Sequence, residues 1–185
     1  MAMDVFKEET VVKRHNGLNN VLYYFSWIMI ILFGIFGLMN LYSLLGYIGT
    51  PDFSWPALVF SLVLIGIAVL LFIRKDTLRV EYDYTFTNGI FDIHMALNNA
   101  KNKYLTQIEL KTVESRGKVT GPSFQRYLSR KDVKKHNWFL NRDADLVYLF
   151  FTKNGVKHLV IIEPSPEMQQ LIRTRGGLGY GVWQD

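Results

Sequence analysis

The chain has no cysteine. That excludes disulfides, thiolate-held metals and cysteine nucleophiles, and it leaves the compartment open. Charge is scarce too, at 20% of residues against 49% hydrophobic. The scarcity is uneven. No charged residue and no histidine occurs from Val21 to Tyr47, and none occurs from Trp55 to Ile73. Ionisable groups inside a span mark ion and proton paths, so their absence argues against a channel or transporter.

What fills these runs is apolar. About 20 apolar residues carry a helix across a bilayer. The first run exceeds that, which predicts tilt or extension into the interface. The second, with Ala57 to Ile73 almost wholly apolar, is near the minimum. A signal sequence has a shorter apolar core and a small-residue cleavage site. Neither is present, so an uncleaved span is expected. Gly49, Pro51 and Asp52 break the chain between the runs, predicting a transmembrane helical hairpin with spans of about 21–47 and 55–73. Asn40 either bonds across helices or sits near the outer interface, and Gly34 and Gly37 allow close helix approach.

Lys7, Lys13 and Arg14 precede the first run, Arg74, Lys75 and Arg79 follow the second, and the connection has no Lys or Arg. By the positive-inside rule both termini face the cytoplasm, in a multi-pass protein of the cell membrane. Residues 1–20 are then a cytoplasmic N-terminal segment and residues 74–185 a cytoplasmic domain.

That domain reads as mainly β. Val80, Tyr82, Tyr84 and Phe86 alternate with polar residues, and Asn88-Gly89 marks a tight hairpin. Phe91, Ile93 and Met95 alternate next, which places His94 toward solvent. Asn98 to Asn102 reads as a turn, Tyr104 to Leu110 as a third strand, and Thr112 to Arg116 as a short fourth. Regular patterning fails from Gly117 to Arg142, with a further strand near Trp138 to Leu140 left open. Strands resume at Leu146 to Thr152 and Val156 to Ile162 around Asn154-Gly155. Ser165 and Pro166 then start a helix with Met168, Leu171 and Ile172 on its apolar face, and Gly176-Gly177 ends it.

The residues Tyr82-Asp-Tyr84 through Asp92-Ile93, Lys101-Asn-Lys103, Ile108-Glu-Leu-Lys111 and Ile161-Ile-Glu-Pro-Ser-Pro-Glu-Met168 resemble a bacterial pleckstrin-homology-like domain. The resemblance implies a bent sheet or open barrel closed by a C-terminal helix. With its two spans, the chain resembles a bacterial membrane family of unknown function from Val21 onward. No catalytic residue comes with that resemblance.

Chemical motifs are few. His15, His94, His136 and His158 show no metal-ligand spacing, and Asp143-Ala-Asp145 lacks the glycine and glutamate of a calcium loop and reads as a turn entering the strand at Leu146. Gly176 to Gly181 follows a helix instead of preceding one, unlike a phosphate loop. No serine elbow occurs. We therefore expect no enzyme, cofactor or metal. What stands out is a basic stretch, Lys118, Arg126, Arg130, Lys131, Lys134, Lys135 and Arg142. Such a cluster near a membrane suits anionic lipid headgroups or a protein partner. Phe124, Tyr127, Trp138 and Phe139 either dip into the interface or belong to the core. Nucleic acid is not expected, since no reader motif is present. The alternative to a binding module is an accessory subunit of a membrane complex, or a homo-oligomer, acting through its helices.

Overall fold

A computed structural model of the protein describes residues 4–174 and 183–184. The chain divides into two compact units, one of residues 15–80 and one that joins residues 81–185 with residues 1–14.

The first unit is a helical hairpin. Helix α1 spans Gly17–Leu45 and α2 spans Trp55–Arg74. Ser54 caps α2 by accepting the Ala57 N–H at 3.4 Å, and Pro56 occupies its first turn, where a missing N–H costs nothing. The helices run antiparallel, with Trp27 edge-on to Phe72 at 6.1 Å. Gly37 makes the close approach: a Cβ there would lie 2.7 Å from Ile65 Cγ1. At Gly34 nothing lies within 4 Å. Asn40 donates to the Phe36 carbonyl of its own helix at 2.8 Å, so it is satisfied without a cross-helix partner. Only Tyr23, Gly37, Ser61 and Ala68 of the two helices are buried. Apart from Phe6, Val12, Ile90 and Tyr104, every exposed large apolar side chain among the described residues lies between Leu18 and Ile73. Both helices are long and apolar enough to cross a membrane.

The base of the hairpin is polar. Lys75 and Asp76 pair at 2.9 Å, both buried, with the ammonium 4.8 Å from the Trp27 and Phe72 rings. The Arg79 guanidinium lies 3.9 Å from the centre of the Tyr23 ring.

The second unit is α+β. Strand β1 is Phe6–Val11, β2 Val80–Thr87, β3 Ile90–Leu97 and β4 Lys101–Glu109, and they form one sheet in that order. A second sheet has the order β6-β8-β7-β5-β9, where β5 is Val113–Lys118, β6 Val133–Trp138, β7 Val147–Lys153, β8 Val156–Ile162 and β9 Trp183–Gln184. Helix α3, Pro122–Leu128, connects β5 to β6, and α4, Pro166–Thr174, follows β8. Tyr84, Phe86, Phe91, Ile93, Leu149, Val160, Ile162, Met168 and Ile172 are buried from the two sheets and α4.

Three local expectations hold because they rest on local physics. Asn88-Gly89 and Asn154-Gly155 take the positive φ angles that tight hairpins need. Ser165 caps α4, accepting from Met168 N–H at 3.3 Å. Residues 142–144 form a turn leading to β7.

Other expectations need correction. Asn98 and Asn99 both adopt positive φ, so the turn closes by Ala100 and β4 starts at Lys101. The stretch expected to be irregular contains α3 and β6. Pro122 opens α3, and Phe124, Tyr127 and Leu128 at helical spacing turn it onto the second sheet. The further strand expected near Trp138 to Leu140 is β6, which ends at Trp138 and pairs parallel to β8. His94 is only partly exposed, edge-on to Tyr104 at 5.3 Å, and the β3–β4 register shifts between Ile93 and His94. The expected helix end at Gly176-Gly177 and the glycine-rich stretch to Gly181 lie outside the described residues.

The largest difference is β1. It precedes the hairpin in sequence yet pairs antiparallel with β2, from Phe6 opposite Thr87 to Val11 opposite Tyr82. The N-terminal segment is thus a strand of the β unit, and the hairpin is inserted between two neighbouring strands.

Candidate functional site

The seven basic residues do not form one cluster. Arg126 is exposed on α3 and Lys131 in the turn that follows. Arg130 is held by Asp132 at 3.0 and 2.8 Å, and Lys157 reaches the same carboxylate at 2.9 Å. These partners hold Asp132 well below the usual carboxylate range. Lys134 and Lys135 are successive on β6 and so project to opposite faces of the sheet. Arg142 is exposed in the turn beyond β6. Lys118 sits elsewhere, at the end of β5, 3.8 Å from Asp145.

Three of the four interleaved aromatics belong to the core. Phe124 is buried, Tyr127 stacks on Phe150 at 4.3 Å, and Phe139 packs against the same cluster. Trp138 lies against His136 at 4.7 Å. Sequence periodicity already contained this outcome in the spacing of Phe124, Tyr127 and Leu128, which neighbouring charge obscured.

The sheet also gathers groups the sequence keeps apart. Parallel pairing of β6 and β8 brings His136 Nε2 to 3.1 Å from His158 Nδ1, with the ring planes 17° apart. Burial lowers both pKa values, and Lys134 lowers them further. The described residues contain no group of three or more residues able to hold a metal.

Two clefts flank the start of α4. One, of about 430 Å³, is lined by β1 and its extension to Arg14, by the Asn141–Asp145 turn and by Glu163 to Pro166. Glu163 is buried here as the acceptor of Leu140 N–H at 3.2 Å, Asn141 N–H at 2.9 Å and Asn141 Nδ2 at 2.8 Å. Tyr84 donates its hydroxyl proton to the Trp138 carbonyl and accepts from Glu163 N–H at 3.3 Å. Burial raises its pKa, so it remains a donor. The second cleft, of about 470 Å³, lies between β5, α4 and β9 and is lined by Lys118, Gln169, Arg173 and Trp183 among others.

A family model described as a bacterial PH-like domain (DUF6106) matches residues 3–175. The chain belongs to this family. The match begins ahead of β1 and runs through the hairpin to the end of α4, so the PH-like unit of this DUF6106 member and its apolar helices fall within one family pattern. No curated protein and no solved structure matches the chain.

Proposed function

We propose that this DUF6106 protein is a membrane-anchored, non-catalytic binding module. Its helical hairpin spans the cell membrane, and its PH-like domain engages anionic lipid headgroups or a protein partner at the cytoplasmic face. The observation that carries this reading is the pairing of β1 with β2. The strands before and after the hairpin are neighbours in one sheet, so both ends of the hairpin return to one side. An apolar hairpin with nearly all its large side chains exposed is costly in water and stable in lipid. The Lys and Arg residues flanking the spans, and none between them, favour that side as the cytoplasm. Arg126, Lys131, Lys135 and Arg142 are exposed and form no ion pair among the described residues, which leaves them available to an anionic partner.

The absence of cysteine makes the test direct. Thr50→Cys in the loop and Lys131→Cys in the domain each introduce a single thiol. In intact cells a membrane-impermeant maleimide labels the Thr50 variant and spares the Lys131 variant until the cells are opened. Labelling of the Lys131 variant in intact cells overturns the assignment.

A second reading, an accessory subunit acting through its helices, draws on Gly34 and Gly66, whose absent Cβ atoms would meet nothing within 4 Å. Exchanging the hairpin for an unrelated one abolishes function under this reading and preserves it under the first.

A further inference from the structure

The cleft between β5, α4 and β9 presents two cations, Lys118 and Arg173, with the polar side chains of Gln169, Gln170 and Thr174 and the flat ring of Trp183. Among the described residues, no carboxylate lines it. Asp145 approaches Lys118 from outside, at 3.8 Å and largely exposed. Next to this cleft lies an unusual group. Arg116 precedes Lys118 by two residues on β5, so it projects from the same face of the strand, and it stands in register with Trp183 on β9. Its side chain is buried, at 4% exposure, and among the described residues neither Nε nor Nη1 has a hydrogen-bond partner. Burying an uncompensated guanidinium is expensive. The other buried charges here are compensated: Glu163 has three donors, and Lys75 has Asp76.

The wall that carries Trp183 depends on Gly117. A Cβ at this position would lie 2.1 Å from the Gln184 carbonyl oxygen, so only glycine lets β9 lie against β5. The Arg173 guanidinium lies 5.8 Å from the centre of the Trp183 ring. A cleft of about 470 Å³ has the size of a small-molecule site. Paired Arg and Lys groups beside donor side chains suit the oxygens of a phosphate.

We propose that this cleft binds a phosphate-bearing anion. Lys118 and Arg173 contact the phosphate, Arg116 supplies the buried counter-charge, and Trp183 covers one side. The site gives the binding module a ligand chemistry, and it stands apart from the basic surface of α3 and β6. It also stands whether or not the hairpin spans.

The test uses the full chain in nanodiscs of neutral phosphatidylcholine. Glycerol 3-phosphate is titrated against sodium chloride of equal ionic strength, with thermal unfolding and tryptophan fluorescence as readouts. A parallel arm replaces part of the lipid with phosphatidylglycerol. A saturable rise in melting temperature with glycerol 3-phosphate assigns a soluble phosphate, and a rise only with phosphatidylglycerol assigns a lipid headgroup. Either supports the site if Lys118→Ala with Arg173→Ala weakens the response at least tenfold. Trp183→Phe removes the fluorescence change and keeps the thermal one. Arg116→Met distinguishes a ligand role from a structural one: it leaves the phosphate-free protein at least as stable and abolishes the response. No response to either probe overturns the proposal. So does a chloride response of equal size, or an undiminished response in the double variant.

Discussion

Asn141 Nδ2 donates to Glu163 Oε1 at 2.8 Å and to the Val12 carbonyl at 3.0 Å, while its Oδ1 accepts the Arg14 N–H at 2.9 Å. One side chain therefore ties the residues that lead into the hairpin to the end of β8. Ser165 N–H adds a second tie, donating to Glu9 Oε1 at 2.9 Å, and Lys7 on β1 pairs with Glu167 on α4.

Replacing Asn141 with alanine strips a buried carboxylate of one donor and frees the chain after β1. A loss of about 2–3 kcal/mol is expected. Asn141→Asp places a second carboxylate beside Glu163 and costs more. Denaturant unfolding of the full chain in mild detergent measures both. A faster proteolytic cut after β1 shows where the loss is felt.

The insertion of the hairpin makes a prediction about dissection. A fragment of residues 76–185 lacks β1 and leaves β2 as an open edge, a template for aggregation. A chain joining residues 1–14 to residues 81–185 through a linker of about 2–4 residues restores the Val11–Tyr82 pairing as a hairpin. This joined domain is expected to be a soluble monomer by gel filtration, while the fragment aggregates. If lipid headgroups are the partner, it floats with anionic liposomes. Arg126→Glu, Lys131→Glu and Lys135→Glu together abolish flotation, and so does added salt.

The histidine pair predicts a pH dependence. Its pKa values lie below the unfolded value, so the unfolded chain binds more protons between the two. Stability is complete above the unfolded value near 6.5 and falls as pH drops through the lowered folded values. The groups facing the pair agree with that sign. Lys134 and Lys153 repel added charge, Phe151 and Trp138 pack against the rings, and Asp132 is occupied by Arg130 and Lys157. Unfolding measured between pH 7.5 and pH 5 should show a slope that flattens in His158→Gln.

Two glycines in α1 separate packing from composition. Gly37→Leu forces a side chain against Ile65 and the Ser61 carbonyl, at an expected cost of about 1–3 kcal/mol. Gly34→Ala adds a Cβ with nothing within 4 Å and should leave thermal stability in detergent unchanged. Equal effects would contradict the observed helix packing.

The amino-acid sequence determined whatever depends on neighbours along the chain. Two charge-free runs, period-two strands from Val80, Asn-Gly turns and the Ser165-Pro166 cap are local properties, and they appear as two apolar helices, strands, hairpin turns and a helix start. The PH-like expectation rested on a resemblance carried by these segments, and the family match over residues 3–175 bears it out. The tertiary structure decided what depends on distance. The Phe6–Val11 strand is too short and too charged to announce itself, and it becomes a strand because β2 offers it an edge. α3 is short, so the helical spacing of Phe124, Tyr127 and Leu128 was lost among basic residues. The basic stretch read as one surface because it is continuous in sequence. Strand alternation and the reversal at α3 send Lys118 to α4, Lys134 toward His136 and His158, and Lys135 to the opposite face. Arg116 carried no signal, since an arginine in a strand is ordinarily exposed. Its burial accompanies the pairing of β9 along β5, a contact between segments whose pairing no local pattern encodes.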